Sequence, residues 1–160
     1  MARITLELPE TFIFSTDIPV RIGDINYGGH LANDAVLSII HEARLRCLHG
    51  HGLAELNPDG IGIVISDAAV VYKAEAFYGD VIMVEVTPAE WVRKGCDFYY
   101  RLTQRETGKE VARAKTGIVF LDYNTRKTTS VPERFRSALT LPEGLPIQTA
   151  STAEQKKRSP

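Results

Sequence analysis

Between Thr11 and Ile22 Phe12, Phe14, Ile18, Val20 and Ile22 recur at even positions, the period of a strand with one buried face. This alternation predicts a first strand, interrupted near Pro19. From Asn33 to His49 the spacing changes to threes and fours, through Val36, Leu37, Ile39, Ile40, Ala43 and Cys47. It predicts a long helix with Asn33 as its N-cap and Gly50 and Gly52 as stop signals. After Pro58-Asp59-Gly60 four more runs read as strands: Ile61 to Phe77, Val81 to Val92, Phe98 to Thr103 and Val111 to Tyr123. The turn sequences Tyr78-Gly79-Asp80, Arg93-Lys94-Gly95 and Glu106-Thr107-Gly108-Lys109 separate them, connections short enough for antiparallel neighbours.

Apolar residues occupy both phases of the last run, Val111, Val119 and Leu121 in one and Ala112, Ala114, Ile118 and Phe120 in the other. Cover on both faces suggests a partner subunit. Residues 141–160 offer little to bury and carry Lys156-Lys157-Arg158, so a flexible tail is expected there, after a single domain over 1–140. One long helix followed by an antiparallel meander, with the first strand joining the sheet, describes an α+β domain wrapped around a central helix.

The chain's 160 residues suit one domain with a sizeable core, and 44% hydrophobic against 24% charged residues fits a soluble globular protein. A net charge of -1 supplies no general field for nucleic acid, so any anionic ligand must be met by local cations. Cys47 and Cys96 are too few and too far apart for a metal or redox motif, and reduced thiols are expected. The amino terminus has no apolar leader segment and no window spans a membrane, so a cytoplasmic location is expected.

Polar chemistry is concentrated in residues 20–46, VRIGDINYGGHLANDAVLSIIHEARLR, where Asp24, Asn26, His30 and Asn33 surround Gly28-Gly29 directly before the helix. A glycine pair lets backbone approach a ligand, and the first turn of a helix offers unpaired N–H groups that favour developing negative charge. That is how an oxyanion site can be built. Each residue also has an ordinary reading. Asp24 and Asn26 suit tight turns, and Asn33 suits a cap.

With GDINYGGHLAND, Glu42-Ala43-Arg44 on the helix and YKAEAFYGD at 72–80, residues 10 to 135 resemble the hotdog-fold acyl-CoA thioesterases of the 4-hydroxybenzoyl-CoA thioesterase type. The resemblance implies a hotdog fold, a long central helix wrapped by a five- to six-stranded antiparallel sheet. It implies a homodimer or homotetramer with substrate between subunits, and hydrolysis of acyl-CoA without metal or redox cofactor. The family's loop reads Asp-x-Asp-x-x-Gly-His-Val-Asn-Asn, and its second Asp, often the attacking or water-activating carboxylate, is here Asn26. A neutral amide cannot be a base, though it can donate to a polarised carbonyl.

The expected assignment has backbone N–H groups around Ala32 and Asn33 on the thioester oxygen, and Asn26 on the carbonyl or the water. His30 is then the base, oriented by Asp24, or Asp24 itself activates water. Gly29, Lys73, Arg93 and Lys94 are candidates for substrate, the cations for the phosphates of coenzyme A, although a solvated hairpin turn is an equal reading. Glu42 is a weaker catalytic candidate, since an ion pair with Arg44 or Arg46 is its ordinary role. Val70, Tyr72, Phe77, Phe98, Tyr99 and Tyr100 are candidates to line an acyl tunnel, and core or interface is their ordinary reading, as it is for Trp91. An acyl-carrier-protein thioesterase and a non-catalytic protein binding acyl-CoA or another small ligand are the alternative functions. A hydratase is disfavoured, since the loop does not match that pattern.

Overall fold

In the computed structural model residues 3–140 and 148–149 are described. Strand β1 (Phe14–Pro19) leads through a short 3-10 turn (Ile22–Asp24) to helix α1 (Asn33–Gly50). Four long strands follow: β2 (Ile61–Tyr72), β3 (Val81–Val92), β4 (Gly95–Gln104) and β5 (Glu110–Asp122). The two-residue strand β6 (Lys127–Thr128), helix α2 (Glu133–Leu139) and the two-residue strand β7 (Gln148–Thr149) complete the described chain.

The sheet order is β2-β5-β4-β3-β1-β7, with β6 paired to β5. All five long strands pair antiparallel, as the short turns predict, and β7 alone runs parallel to its neighbour β1. The remainder of the tail expected over 141–160 lies outside the described residues. A helix wrapped by an antiparallel sheet is the hotdog arrangement.

Helix α1 buries Val36, Ile39, Ile40, Ala43, Cys47 and Leu48 in one cluster with Phe14, Val84, Val86, Phe98, Tyr100, Leu102, Ala112 and Ala114 of the sheet. Most of these strand residues share a face because cross-strand partners do: Tyr100 pairs with both Val86 and Ala114, and Leu102 with both Val84 and Ala112. Leu37, on the apolar pattern of the helix, is instead exposed, as is Ile22 at the end of the first run.

Several predicted boundaries move. Asn33 is the first residue of α1 and not its cap; Ala32 holds the cap position, with no side-chain cap bond. The β2 run stops at Tyr72 and not Phe77, because the N–H groups of Lys73 and Ala74 both turn to the carbonyl of Val111 and the chain leaves the edge. Part of the two-phase pattern of β5 has an explanation within the chain, at Val111, while Val119 and Leu121 are half-buried in regular register. Register shifts at Val111, unpaired between Leu102–Ala112 and Thr103–Glu110, so Val111 and Ala112 are buried together at a bulge.

Beneath α1 lies a charged group that the periodicity hides. The Arg44 side chain is buried, with Nε donating to Glu55 Oε1 (2.9 Å) and Nη1 to Tyr100 Oη (3.2 Å). Tyr100 Oη is also bonded to Thr116 Oγ1 (2.9 Å). Glu42 pairs with Arg46 (2.8 Å), the ordinary role considered for it. Phe98 and Tyr100 are wholly buried in the core, the ordinary reading considered for them. Both cysteine thiols are free and buried, and burial pushes each up to about 12.

Candidate active site

Residues 25–31 form a miniature hairpin at the mouth of α1. Its ends are joined by the antiparallel bridge Ile25–Leu31. The Asn26 N–H donates to the His30 carbonyl (3.0 Å), and the Gly29 N–H donates to the Asn26 carbonyl (3.0 Å). Three residues, Tyr27, Gly28 and Gly29, therefore make the turn, and Gly29 has φ of 83°, the left-handed conformation that three-residue hairpins place at this point. Gly29 thus serves the turn. The turn makes Asn26 and His30 cross-strand partners, and such partners project side chains to the same side.

Their orientations are fixed locally. Asn26 Oδ1 accepts the Gly28 N–H (2.9 Å), which leaves the Nδ2 amide as a free donor. His30 Nδ1 lies 3.3 Å from the Leu31 carbonyl, an acceptor only, so Nδ1 carries the proton and Nε2 keeps its lone pair in the neutral ring. His30 Nε2 lies 3.9 Å from Glu75 Oε1. Sequence reasoning missed this carboxylate, because Glu75 sits 45 positions beyond His30 in an irregular connection. The tie that brings it near is the Leu31 N–H on the Ala76 carbonyl (2.8 Å), with no side-chain signal in the sequence.

Asp24 takes a different role from the one expected. Its carboxylate accepts the Arg21 backbone N–H (2.8 Å), and Arg21 Nε and Nη2 (3.3 and 3.2 Å), closing the 3-10 turn. Burial alone would raise the Asp24 carboxyl, but the bonds from the Arg21 side chain and N–H, with the guanidinium charge, hold it below its ordinary value. Among the described residues no bond links Asp24 to His30, so Glu75 is the carboxylate that faces the imidazole. The Ala32 N–H is also spoken for, by the Asp24 carbonyl (2.8 Å). The first-turn N–H groups from Asn33 onward have no acceptor four residues back within α1 and carry its positive dipole end.

Two clefts meet at Asn26. One, of about 480 Å³, is lined by Asn26, His30, Leu31, Asn33, Tyr72, Lys73, Ala74 and Glu75. The other, of about 540 Å³, runs along the outer side of α1 past Arg21, Tyr27, Asp34, Ala35 and Ser38. Of the aromatic tunnel candidates only Tyr72 lines either of these clefts, where its hydroxyl donates to the Asn33 carbonyl (2.9 Å). Lys73 is exposed and makes no ion pair among the described residues. Arg93 and Lys94 follow the far end of β3, whose twelve residues span roughly 35 Å, so one protomer does not bring them to the clefts. Lys94 Nζ is bonded to Thr128 Oγ1 there.

A neutral donor and an imidazole with a free lone pair, beside a carboxylate and a helix N-terminus, can polarise a carbonyl and activate water. The model of the thioesterase-like superfamily matches residues 20–139, and the chain belongs to that superfamily. No curated protein sequence matches the chain. Among solved structures, a 1,4-dihydroxy-2-naphthoyl-CoA thioesterase from Synechocystis is 23% identical with a TM-score of 0.74, over 79% of this chain and 94% of that one. The DHNA-CoA thioesterase of Staphylococcus aureus is 18% identical with a TM-score of 0.71, over 78% of this chain and 88% of that one. YbaW of Escherichia coli, described as a probable thioesterase, is 21% identical with a TM-score of 0.67, over 78% and 95%. At these identities the structures share the fold.

Proposed function

We propose that this member of the thioesterase-like superfamily hydrolyses an acyl-CoA thioester to a carboxylic acid and free coenzyme A, using Asn26, His30 and Glu75 at the start of α1. The observation that carries the reading is the hairpin pairing of Asn26 with His30, with Nδ2 free to donate and Nε2 free to accept.

The thioester oxygen sits on Asn26 Nδ2 and on first-turn N–H groups from Asn33 onward, where negative charge develops as the carbonyl is attacked. A water held by His30 Nε2 loses its proton to the imidazole as its oxygen bonds to the carbonyl carbon. The Glu75 carboxylate, 3.9 Å away, stabilises the imidazolium that results. As the intermediate collapses the C–S bond breaks, and the imidazolium returns its proton to the departing thiolate. A loop carboxylate at position 26 is not needed in this scheme, because the base is His30.

Lys73, exposed and uncommitted at the edge of the His30 cleft, is the cation for a phosphate of coenzyme A. Arg93 and Lys94 would act only from another protomer. Self-association is part of the proposal: β2 is an edge strand whose first residues, Ile61 to Ile63, are covered by residues 55–57, while from Val64 to Tyr72, in the cleft wall, its outer side has no strand partner among the described residues.

The test is thiol release, followed with a thiol-reactive dye, over short, long and aromatic acyl-CoAs and acyl-carrier-protein thioesters. Loss of about 10²-fold or more in kcat for His30→Ala and for Asn26→Ala supports the assignment. Asn26→Asp is expected to lose activity as well, since a carboxylate repels the oxyanion that the amide stabilises. Native turnover in both alanine variants sinks the roles. No thiol from any thioester, with thermal stabilisation by acyl-CoA, replaces hydrolysis with binding.

A further inference from the structure

Gly28 stands between the two side chains that the proposed reaction uses. A Cβ built on it would lie 3.2 Å from Asn26 Oδ1, 3.2 Å from His30 Nε2 and 3.5 Å from His30 Cδ2. Its backbone does not call for glycine, since its φ is not among the positive values, unlike that of Gly29. What the position needs is the missing side chain. The bond that orients Asn26 comes from the main-chain N–H of Gly28, which every residue except proline supplies.

We infer that Gly28 is a positioning residue, a spacer whose bare Cα keeps the Asn26 carboxamide and the His30 imidazole at a common reacting centre. The inference rests on the proposed roles of Asn26 and His30. A methyl group at this point touches both reacting side chains at once. The contacts with Asn26 Oδ1 and His30 Nε2 are tighter than ordinary van der Waals distance, and the amide and the ring must each give by a few tenths of an ångström. Displacements of about 1 Å at a reacting centre cost roughly a hundredfold in rate, so a methyl should cost about tenfold and a branched side chain more. The hairpin itself is expected to persist, because its main-chain bonds and the left-handed Gly29 are untouched.

The experiment uses the full chain with Gly28→Ala and Gly28→Val. The expected result is a kcat lowered by about tenfold in the first and by at least about a hundredfold in the second. KM and the thermal midpoint should stay at the native values, which a merely structural glycine would not allow. A parallel readout needs no turnover: the ring carbon–proton correlation of His30 at Cδ2, seen by NMR without substrate, is expected to move in Gly28→Ala. Native kcat in both variants, or an unmoved His30 correlation, overturns the inference. If the native chain releases no thiol from any thioester while the His30 correlation still moves, hydrolysis has failed and the spacing stands.

Discussion

Tyr72, the last residue of β2, donates its hydroxyl to the carbonyl of Asn33, the first residue of α1, at 2.9 Å. The end of this edge strand is thereby tied to the N-terminal end of α1. Burial, and next the charge of Asp34, push the phenol above its ordinary value, so it stays a donor across the working pH range. Tyr72→Phe is expected to cost under about 1 kcal/mol of stability, because the bond is solvent-exposed, yet to lower kcat several-fold by loosening α1 against the cleft. Urea midpoints and turnover on the same preparations separate the two effects.

Asp24 makes the protein's stability depend on acid in a defined direction. Its folded-state value is lowered from 3.8, so its contribution is present above that pH and is lost as pH falls through the lowered value. Asp24→Asn is expected to lose about 1 kcal/mol at neutral pH, the worth of a cap, and to show a smaller further loss below pH 4 than the native chain. Asp67 and Glu110 are lowered in the same way by Lys115 and Arg113, so the informative quantity is the difference between variant and native urea midpoints from pH 7 to 2.

Removing Arg44 would strand its partners. Arg44→Ala leaves the buried Tyr100 hydroxyl with Thr116 alone and takes from Glu55 its buried cation, leaving only His41 at 3.1 Å. A loss of about 3 kcal/mol is expected, the low end for a broken buried pair because Glu55 keeps some access to water. Chemical denaturation checks it, and a loss below 1 kcal/mol would show the network to be dispensable.

Gly95 allows β4 and β5 to approach at the start of β4, where it pairs with Val119. An added Cβ would fall inside the carbonyl oxygen of Ile118, and backbone cannot yield as a side chain can. Gly95→Ala is expected to cost more than about 3 kcal/mol, read as a fall in thermal midpoint or as insoluble expression.

The parts of this fold that depend on repeated spacing were legible in the sequence. Val81 to Val92 is β3 to the residue, and α1 ends one residue beyond the predicted His49. Single-residue choices were not. Asn33 reads as a cap, but the chain turns into the helix one residue earlier at Ala32, because the Ala32 N–H is held by the Asp24 carbonyl. Val111 reads as the opposite phase from Ala112 because a bulge leaves no mark on apolar count. The loop chemistry was visible as Asn26, Gly28-Gly29 and His30 in a row. Its partner carboxylate was not, since Glu75 reaches His30 only through main-chain bonds between distant segments. Asp24, acidic and beside the loop, reads as the partner until its two oxygens are seen to be taken by Arg21.

Both thiols of the chain lie under the helix or the sheet, and neither ionises readily. A reagent that colours only with thiolate is therefore blind to the folded protein and counts product alone. On heating or in denaturant the same reagent should begin to count two equivalents per chain. Turnover and loss of native structure can thus be followed in one cuvette with one dye, the first as a steady slope and the second as a fixed step.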